Sequence, residues 1–259
     1  PAPRVFIVED EFLLVMLLED LLPTLGYTVA GSAGSVEHAL AKLDTADVDL
    51  AVVDVNLAGE PSFPVADALR ARFAQPPQWE PEVVLEKKFM NREPAHASVL
   101  LAIVLREQPM VLLTERTAHL STHSGQVAFP GGRADPEDAS PADTALREAQ
   151  EEVGLDRAFV EVLGTLPTYV TGSSFIITPV VALVQPDCVL QPNPYEVADL
   201  FEVPLAFLLD PAHHRRHVFD RDGVHREWFS MPYEQGGKTH FIWGATAGML
   251  RNFYRFMQA

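Results

Sequence analysis

Cysteine and positive charge are both scarce in this sequence, and each shortage excludes a class of protein. The chain of 259 residues has one cysteine, Cys188, which excludes an internal disulfide framework and agrees with a reducing compartment. Lys and Arg total 19 against 36 Asp and Glu, so the formal net charge is −17. Such a chain repels polyanions and lacks the basic surface typical of nucleic-acid binding. We expect no nucleic-acid partner, and a phosphorylated substrate would need local basic groups or a metal ion.

Long hydrophobic runs are also missing. The apolar stretches 12–18 and 98–105 are far shorter than the ~18 residues of a membrane span. The sequence turns acidic at Glu9, where a signal peptide would be basic and then apolar. We therefore expect a cytoplasmic protein with no membrane partner.

A proline-rich stretch divides the chain into two unlike pieces. Three prolines between residues 72 and 83 forbid a continuous helix there. The prediction is an N-terminal segment, a linker and a C-terminal domain, over residues 1–73, 74–82 and 83–259.

The first piece alternates short β-branched runs with helical patterns, which is typical of a parallel α/β sheet. The predicted elements are a strand at 4–8, a helix at 11–25, a strand at 27–31, a helix at 35–43 and a strand at 49–55. Ligands of such sheets bind beyond the carboxyl ends of the strands. Glu9, Asp10 and Asp54 occupy those positions.

Residues 3 to 72 resemble the N-terminal part of a response-regulator receiver domain, a flavodoxin-like parallel α/β fold. The resemblance implies that Glu9 and Asp10 bind Mg²⁺ and that Asp54 is a phosphoacceptor. The fourth and fifth strands of a receiver, ending in Thr or Ser and in Lys-Pro, have no counterpart in the sequence. Strand 3 is then expected to be an exposed apolar edge. Two hypotheses stay open for Asp54: a remnant of a truncated or fused receiver, or a site of phosphotransfer.

The second piece contains a predicted helix over residues 141–153 with three glutamates on one face. Like charges at that spacing oppose a helix by roughly 0.2–0.5 kcal/mol per pair. The face is either simply solvated or binds a hard divalent cation, which prefers oxygen ligands. Gly131 and Gly132, just upstream, allow close backbone approach to a ligand and favour the metal site. The three glutamates are Glu148, Glu151 and Glu152.

The end of this helix resembles the signature of Nudix hydrolases. The matching positions are Arg147, Glu148, Ala149, Glu151, Glu152, Gly154 and Leu155. The resemblance implies an α/β/α sandwich with a mixed sheet. Ala139 stands where the signature has a glutamate, eight residues before Arg147, and Asp138 and Asp135 are the candidates to pair with that arginine instead.

A longer segment, residues 112–132, resembles the stretch that marks coenzyme A pyrophosphatases among Nudix hydrolases, and the likeness extends over about residues 79–257. One departure is Ser121, where this group has an arginine that could pair with phosphate. The resemblance implies substrate contacts by Arg116, Gly125, Phe129, Gly131 and Gly132.

The same resemblance implies the catalytic roles. Mg²⁺ or Mn²⁺ is held by Glu151 and Glu152, by Glu148 as ligand or general base, and by a carbonyl of Gly131 or Gly132. Arg147 orients the carboxylates. Glu196 is either a further ligand or base from a separate loop, or a solvated glutamate.

The predicted activity is hydrolysis of the pyrophosphate in coenzyme A or its thioesters, giving 3′-phosphoadenosine 5′-phosphate and the phosphopantetheine part. One alternative is another substrate, such as ADP-ribose, at the same helix. A second is a signalling or nucleotide-sensing module, and a homodimer is possible. Six histidines have no zinc-type spacing and are expected in loops or core: His123, His213, His214, His217, His225 and His240.

Overall fold

The chain divides into two compact units, Pro1–Phe63 and Pro64–Ala259. The structure, a computed structural model, describes residues 2–9, 12–34, 42, 48–53, 63–83, 94–118, 125–172, 174–221 and 224–259. Within these residues, no helix has both the length and the apolar character that crossing a bilayer requires.

The first unit contains a parallel three-stranded sheet and a helix. Its elements are β1 (Arg4–Val8), α1 (Phe12–Thr24), β2 (Thr28–Ala33) and β3 (Leu50–Val53). The strand order is β2-β1-β3, and both pairings are parallel. This is the α/β arrangement predicted from the alternating pattern. The predicted helix at 35–43 falls almost wholly outside the described residues.

The central strand of this sheet is buried and the third strand lies open. The side chains of Val5 to Val8 are at most 4% exposed. Leu50 and Val52 of β3 are 49% and 38% exposed. Among the described strands β3 pairs with β1 alone, so the sheet presents an apolar edge there.

The second unit is built around a mixed sheet. The strands of its main sheet are β4 (Ala95–Val104), β5 (Met110–Arg116), β6 (Val127–Ala128), β7 (Gly131–Arg133), β8 (Val160–Thr165), β9 (Tyr169–Val170), β10 (Phe175–Val184) and β11 (Val197–Pro204). The order is β11-β5-β4-β10-β8, and β6, β7 and β9 pair with β5, β4 and β10. The pairing of β4 with β10 is parallel and the others are antiparallel.

A smaller antiparallel sheet and four helices complete this unit. The sheet consists of β12 (Arg215–Arg221), β13 (Val224–Gln235) and β14 (Lys238–Trp243). The helices are α2 (Phe63–Ala74), which starts at the boundary between the units, α3 (Pro141–Val153), α4 (Leu205–Leu209) and α5 (Gly244–Gln258).

Helices cover both faces of the main sheet. Ala145, Ala149 and Val153 of α3 pack with one set of strand residues that includes Leu100 and Val180. The opposite face carries the larger core, in which Leu250, Phe253 and Phe256 of α5 pack with strand residues Leu101, Leu113 and Val181. The result is an α/β/α sandwich, as predicted.

Helix α2 and the proline-rich stretch after it pack on the second unit. Ala66 and Leu69 are fully buried in the larger core. The rings of Phe73 and Trp79 lie 4.7 and 5.5 Å from that of Phe256. The amide group of Asn252 bonds the backbone N–H and C=O of Val83, at 3.0 and 2.7 Å.

The observed division therefore differs from the boundary at residue 73 and the linker over 74–82 that the sequence predicted. The prolines do end the helix, since α2 stops at Ala74 before Pro76. They do not produce a free linker, because Trp79 and Val83 are anchored to α5.

Candidate active site

The site is built on α3, whose two ends are fixed by local sequence. Ser140 caps the first turn by accepting a hydrogen bond from the N–H of Asp143 at 3.2 Å, and Pro141 occupies the first helical position. Gly154 ends the helix in the left-handed region at φ 68°, and its N–H bonds the carbonyl of Gln150. The helix therefore has the bounds that its punctuation predicts.

A glycine pair brings the sheet against this helix. Gly131 and Gly132 lie in β7, which pairs with residues Ser98 and Val99 of β4. A Cβ on Gly131 would lie 2.4 Å from the carbonyl oxygen of Ser98. A Cβ on Gly132 would lie 2.5 Å from both carboxylate oxygens of Glu148. Both positions require glycine for close packing, and the second places main chain directly on a predicted metal ligand.

Arg147 connects the acidic residues of the site. Its Nε and Nη2 donate to the two oxygens of Asp138 at 3.0 and 2.9 Å. Its Nη1 donates to Glu148 at 3.0 Å and to Glu151 at 3.3 Å. The Asp138 side chain is 7% exposed, and the Arg147 guanidinium holds the pKa of that carboxyl well below its usual range. Asp138 is therefore the principal partner of Arg147, whereas Asp135 lies 3.7 Å away and is more exposed.

Glu152 is the most buried of the three helix glutamates. The residue is 4% exposed and accepts a hydrogen bond from the N–H of Gly131 at 3.1 Å. Nη1 of Arg116 lies 3.4 Å from its other oxygen. Burial raises the pKa of Glu152 to about 7, against the opposing effects of Gly131 and Arg116. Burial also raises the pKa of Glu148. The site thus holds more negative charge than its own cations compensate.

Glu196 lies on a separate loop and adds to the negative electrostatic field around Glu148 and Glu152. Its negative charge adds to the raised pKa of both Glu148 and Glu152. The loop is held in place by the backbone, since the N–H of Asn193 bonds the carbonyl of Glu152 at 2.8 Å and the N–H of Thr117 bonds that of Glu196 at 2.9 Å. The hydroxyl of Thr117 also donates to the carbonyl of Tyr195. Sequence patterns gave no signal for the positioning roles of Asn193 and Thr117.

The predicted substrate contacts fall into two groups. Arg116 lies at the site, and its Nε is buried with no hydrogen-bond partner in the described part of the chain. Gly125 lies at φ 68° and its N–H bonds the carbonyl of Arg116. Phe129 is different: its side chain is 2% exposed within the larger core, so the ring does not face a substrate. The ring packs in the apolar core because residue 129 directly follows strand β6, beside the buried Val127.

Glu9 follows β1 in the first unit and is 8% exposed. Asp10, Asp54, Ser121 and His123 lie outside the described residues.

The carboxylates suit a hard divalent cation in type and burial. Glu152 is buried and Glu148 is partly buried, burial raises the pKa of both, and Gly132 brings main chain to Glu148. Hydrogen bonds hold the carboxylates apart: Arg147 donates to Glu148 and Glu151, whereas the N–H of Gly131 donates to Glu152. Among the described residues, the group whose ligand atoms converge within 4.8 Å is a different one: Glu115, Asp199 and His240.

Family comparisons cover both units. Residues 94–230 match the NUDIX domain family, and residues 5–79 match the response regulator receiver domain. The second match includes residues 64–79, which pack on the second unit here.

Individual relatives match the second unit. The "Uncharacterized Nudix hydrolase NudL" of Shigella flexneri serotype 5b (strain 8401) is 45% identical over 166 residues, which is 62% of this chain and 84% of that protein. The protein of the same name from Escherichia coli (strain K12) has the same identity and coverage. A crystal structure of a Nudix hydrolase from M. smegmatis, RenU, is 28% identical and covers 48% of this chain and 79% of its own, with a TM-score of 0.37.

Proposed function

The chain belongs to the Nudix hydrolase family, and we propose that its second unit hydrolyses the pyrophosphate bond of coenzyme A or of its thioesters. The products are 3′-phosphoadenosine 5′-phosphate and phosphopantetheine or its acyl form. The likeness of residues 112–132 to coenzyme A pyrophosphatases supports this substrate class.

The proposed hydrolysis rests on the group of carboxylates on α3, in which Glu152 is buried and has a pKa raised by that burial. Glu151 and Glu152, with a main-chain oxygen of Gly132, would hold Mg²⁺ or Mn²⁺. When bound, the ion neutralises the phosphate charge that otherwise repels an attacking water. The net acidity of the chain means that an anionic substrate needs such an ion or local basic groups in order to approach.

The remaining chemistry belongs to side chains of the site. Glu148 has a raised pKa because it is buried, and a more basic carboxylate accepts a proton from water more readily. Glu151 and Glu196 are both near enough to raise that pKa further. Arg147 holds Glu148 in place through Nη1 while Asp138 fixes the guanidinium from the other side. Glu148 is our choice for the general base, with Arg147 and Asp138 as its positioning residues.

We assign the binding of the substrate phosphate to Arg116. Its guanidinium lies beside Glu152 at the end of β5, a quarter exposed, and its buried Nε has no hydrogen-bond partner among the described residues. A phosphate oxygen would satisfy that donor, and charge-assisted bonds of this kind contribute about 1.5–3 kcal/mol. Because the same guanidinium supports Glu152, its loss should also lower turnover on every substrate.

The test is a comparison of kcat/KM for coenzyme A, dephospho-coenzyme A and ADP-ribose with Mg²⁺. All three present a pyrophosphate, and the second lacks only the 3′-phosphate. We expect coenzyme A to be preferred by about tenfold to a hundredfold. Arg116→Ala should shrink that ratio as well as the rates, whereas Arg157→Ala, an exposed control paired with Asp143, should leave the ratio intact. Equal values for the three compounds would contradict the coenzyme A assignment and leave the Nudix hydrolase.

A further inference from the structure

A second group of metal-ligating side chains lies apart from the helix glutamates. Glu115 in β5, Asp199 in β11 and His240 in β14 each place a ligand atom within 4.8 Å of the other two. None of them belongs to the set proposed for hydrolysis. The group joins the edge of the main sheet to the smaller sheet, because β11 pairs with β5 and β14 belongs to the β12-β13-β14 sheet.

His240 is packed against Phe201, and one of its ring nitrogens has no hydrogen-bond partner among the described residues. The residue is 3% exposed, and its ring stacks on Phe201 with centroids 3.7 Å apart and 23° between the planes. Its Nδ1 is buried and has no hydrogen-bond partner within the described residues. Buried polar atoms are nearly always satisfied, and one that is not calls for an explanation such as an ion.

The two carboxylates are held together by a cation. Glu115 and Asp199 are direct partners in the antiparallel register, and like charges at that position repel. Nζ of Lys238 lies 2.7 Å from Glu115 and 2.8 Å from Asp199 and offsets that repulsion. The Lys238 side chain is 48% exposed, so it has an open path to solvent. One ammonium against two carboxylates leaves one negative charge, whereas a divalent ion in place of the ammonium would balance both carboxylates.

We propose that Glu115, Asp199 and His240 form a second cation site, for a divalent transition ion of the Zn²⁺ class, in which the ion takes the place of the Lys238 ammonium. One imidazole and two carboxylates suit Zn²⁺, which accepts mixed nitrogen and oxygen ligands in a roughly tetrahedral set. Mg²⁺ strongly prefers oxygen and is left to the helix glutamates. A bound ion would cross-link three strands, β5, β11 and β14, that lie far apart in sequence.

The experiment uses the full chain, stripped with a chelator and kept in excess Mg²⁺ so that the helix glutamates are occupied. Zn²⁺ is titrated by calorimetry, and Co²⁺ serves as a visible-absorption probe of ligation by nitrogen. We expect a Zn²⁺ site that survives excess Mg²⁺ and is unaffected by Glu152→Gln. Binding that disappears in Glu152→Gln would place the ion on α3 and overturn the proposal.

Variants of the group itself separate a metal site from a purely structural Lys238 bridge. Asp199→Asn, at a half-buried position, and His240→Gln should each weaken Zn²⁺ binding at least about tenfold, since each removes one of three ligands. Lys238→Met should tighten binding by up to about tenfold, because it removes a competing cation whose ion pairs are each modest. Asp210→Asn, beside His213 at 3.8 Å, is the matched control and should have no effect. Unchanged binding in both Asp199→Asn and His240→Gln, or no tightening in Lys238→Met, contradicts the proposal.

Discussion

The main chain of Gly132 lies directly on the carboxylate of Glu148, with room for a hydrogen but not for a methyl group. The contact joins β7 to α3 and brings main chain against a charged side chain. The site therefore depends on a residue that has no side chain, as well as on its glutamates.

Gly132→Ala should reduce turnover strongly. The added Cβ would lie 2.5 Å from the Glu148 carboxyl carbon and both oxygens, so the carboxylate must move. Displacements of this size cost roughly a hundredfold in rate. Steady-state kinetics with Mg²⁺ measures the loss. Gly236→Ala is the control: nothing lies within 4 Å of its added Cβ, and although its left-handed φ of 60° costs some stability, its activity should remain near that of the unmodified protein.

Glu152→Gln should abolish activity yet stabilise the metal-free protein at neutral and higher pH. The folded carboxyl has a pKa of about 7 against an ordinary 4.5, so the folded state binds its proton more tightly. The stability from that proton is present below pH 4.5 and is lost as the pH rises to about 7. Urea unfolding in EDTA should show the variant more stable at pH 8, by on the order of 1–2 kcal/mol. No difference between pH 5 and pH 8 would refute the assignment.

Asp138→Asn should lower activity by about tenfold to a hundredfold, as expected for residues that orient metal-binding carboxylates. The substitution removes the charge that holds Arg147 on the side away from Glu148. Asp135→Asn is the matched control, because its carboxylate lies 3.7 Å from the guanidinium and is 57% exposed. If both variants lost the same activity, Asp138 would not be the principal partner.

Leu69→Ala should destabilise the hydrolase unit although residue 69 falls in the segment that matches the receiver family. Leu69 is fully buried in the larger core with Phe253 and Phe256. Removing such a side chain costs about 2–5 kcal/mol. The loss should appear in the transition that also abolishes hydrolysis. Leu17→Ala, at a position 58% exposed in the first unit, should change that transition by less than about 0.5 kcal/mol.

Asp54 should take up little phosphate from acetyl phosphate. The receiver-like segment has no counterpart of the fourth strand ending in Thr or Ser or of the fifth ending in Lys-Pro, the groups that would engage an aspartyl phosphate in a receiver. Intact-protein mass spectrometry measures the modification. Stoichiometric phosphorylation that alters hydrolysis would favour a signalling role instead.

The local sequence predicted the elements whose ends are marked by prolines, glycines or capping residues. Pro141 and Gly154 bracket α3, which has the predicted bounds. Asp138 was one of two candidates for Arg147, and distance separates it from Asp135.

Packing between distant segments was not predictable in this way. The composition of α2 does not reveal that it packs on α5, because the partner face is about 180 residues later in the chain. Likewise, Glu115, Asp199 and His240 share no spacing that predicts a metal site, and His240 was expected to be an ordinary loop or core residue. It is a core residue by burial, and only the fold reveals its acidic neighbours.

Two hydrogen bonds from the loop that contains Gln191 and Asn193 to the end of α3 also affect the electrostatic potential at Glu152. Glu152 stands in the last turn, where the partial negative charge of free helix carbonyls opposes a carboxylate. The N–H groups of Gln191 and Asn193 bond the carbonyls of Val153 and Glu152 at 2.8 Å. They cancel part of that dipole field. The potential at Glu152, and with it the attraction for a cation, is therefore set partly by a loop some forty residues further along the chain.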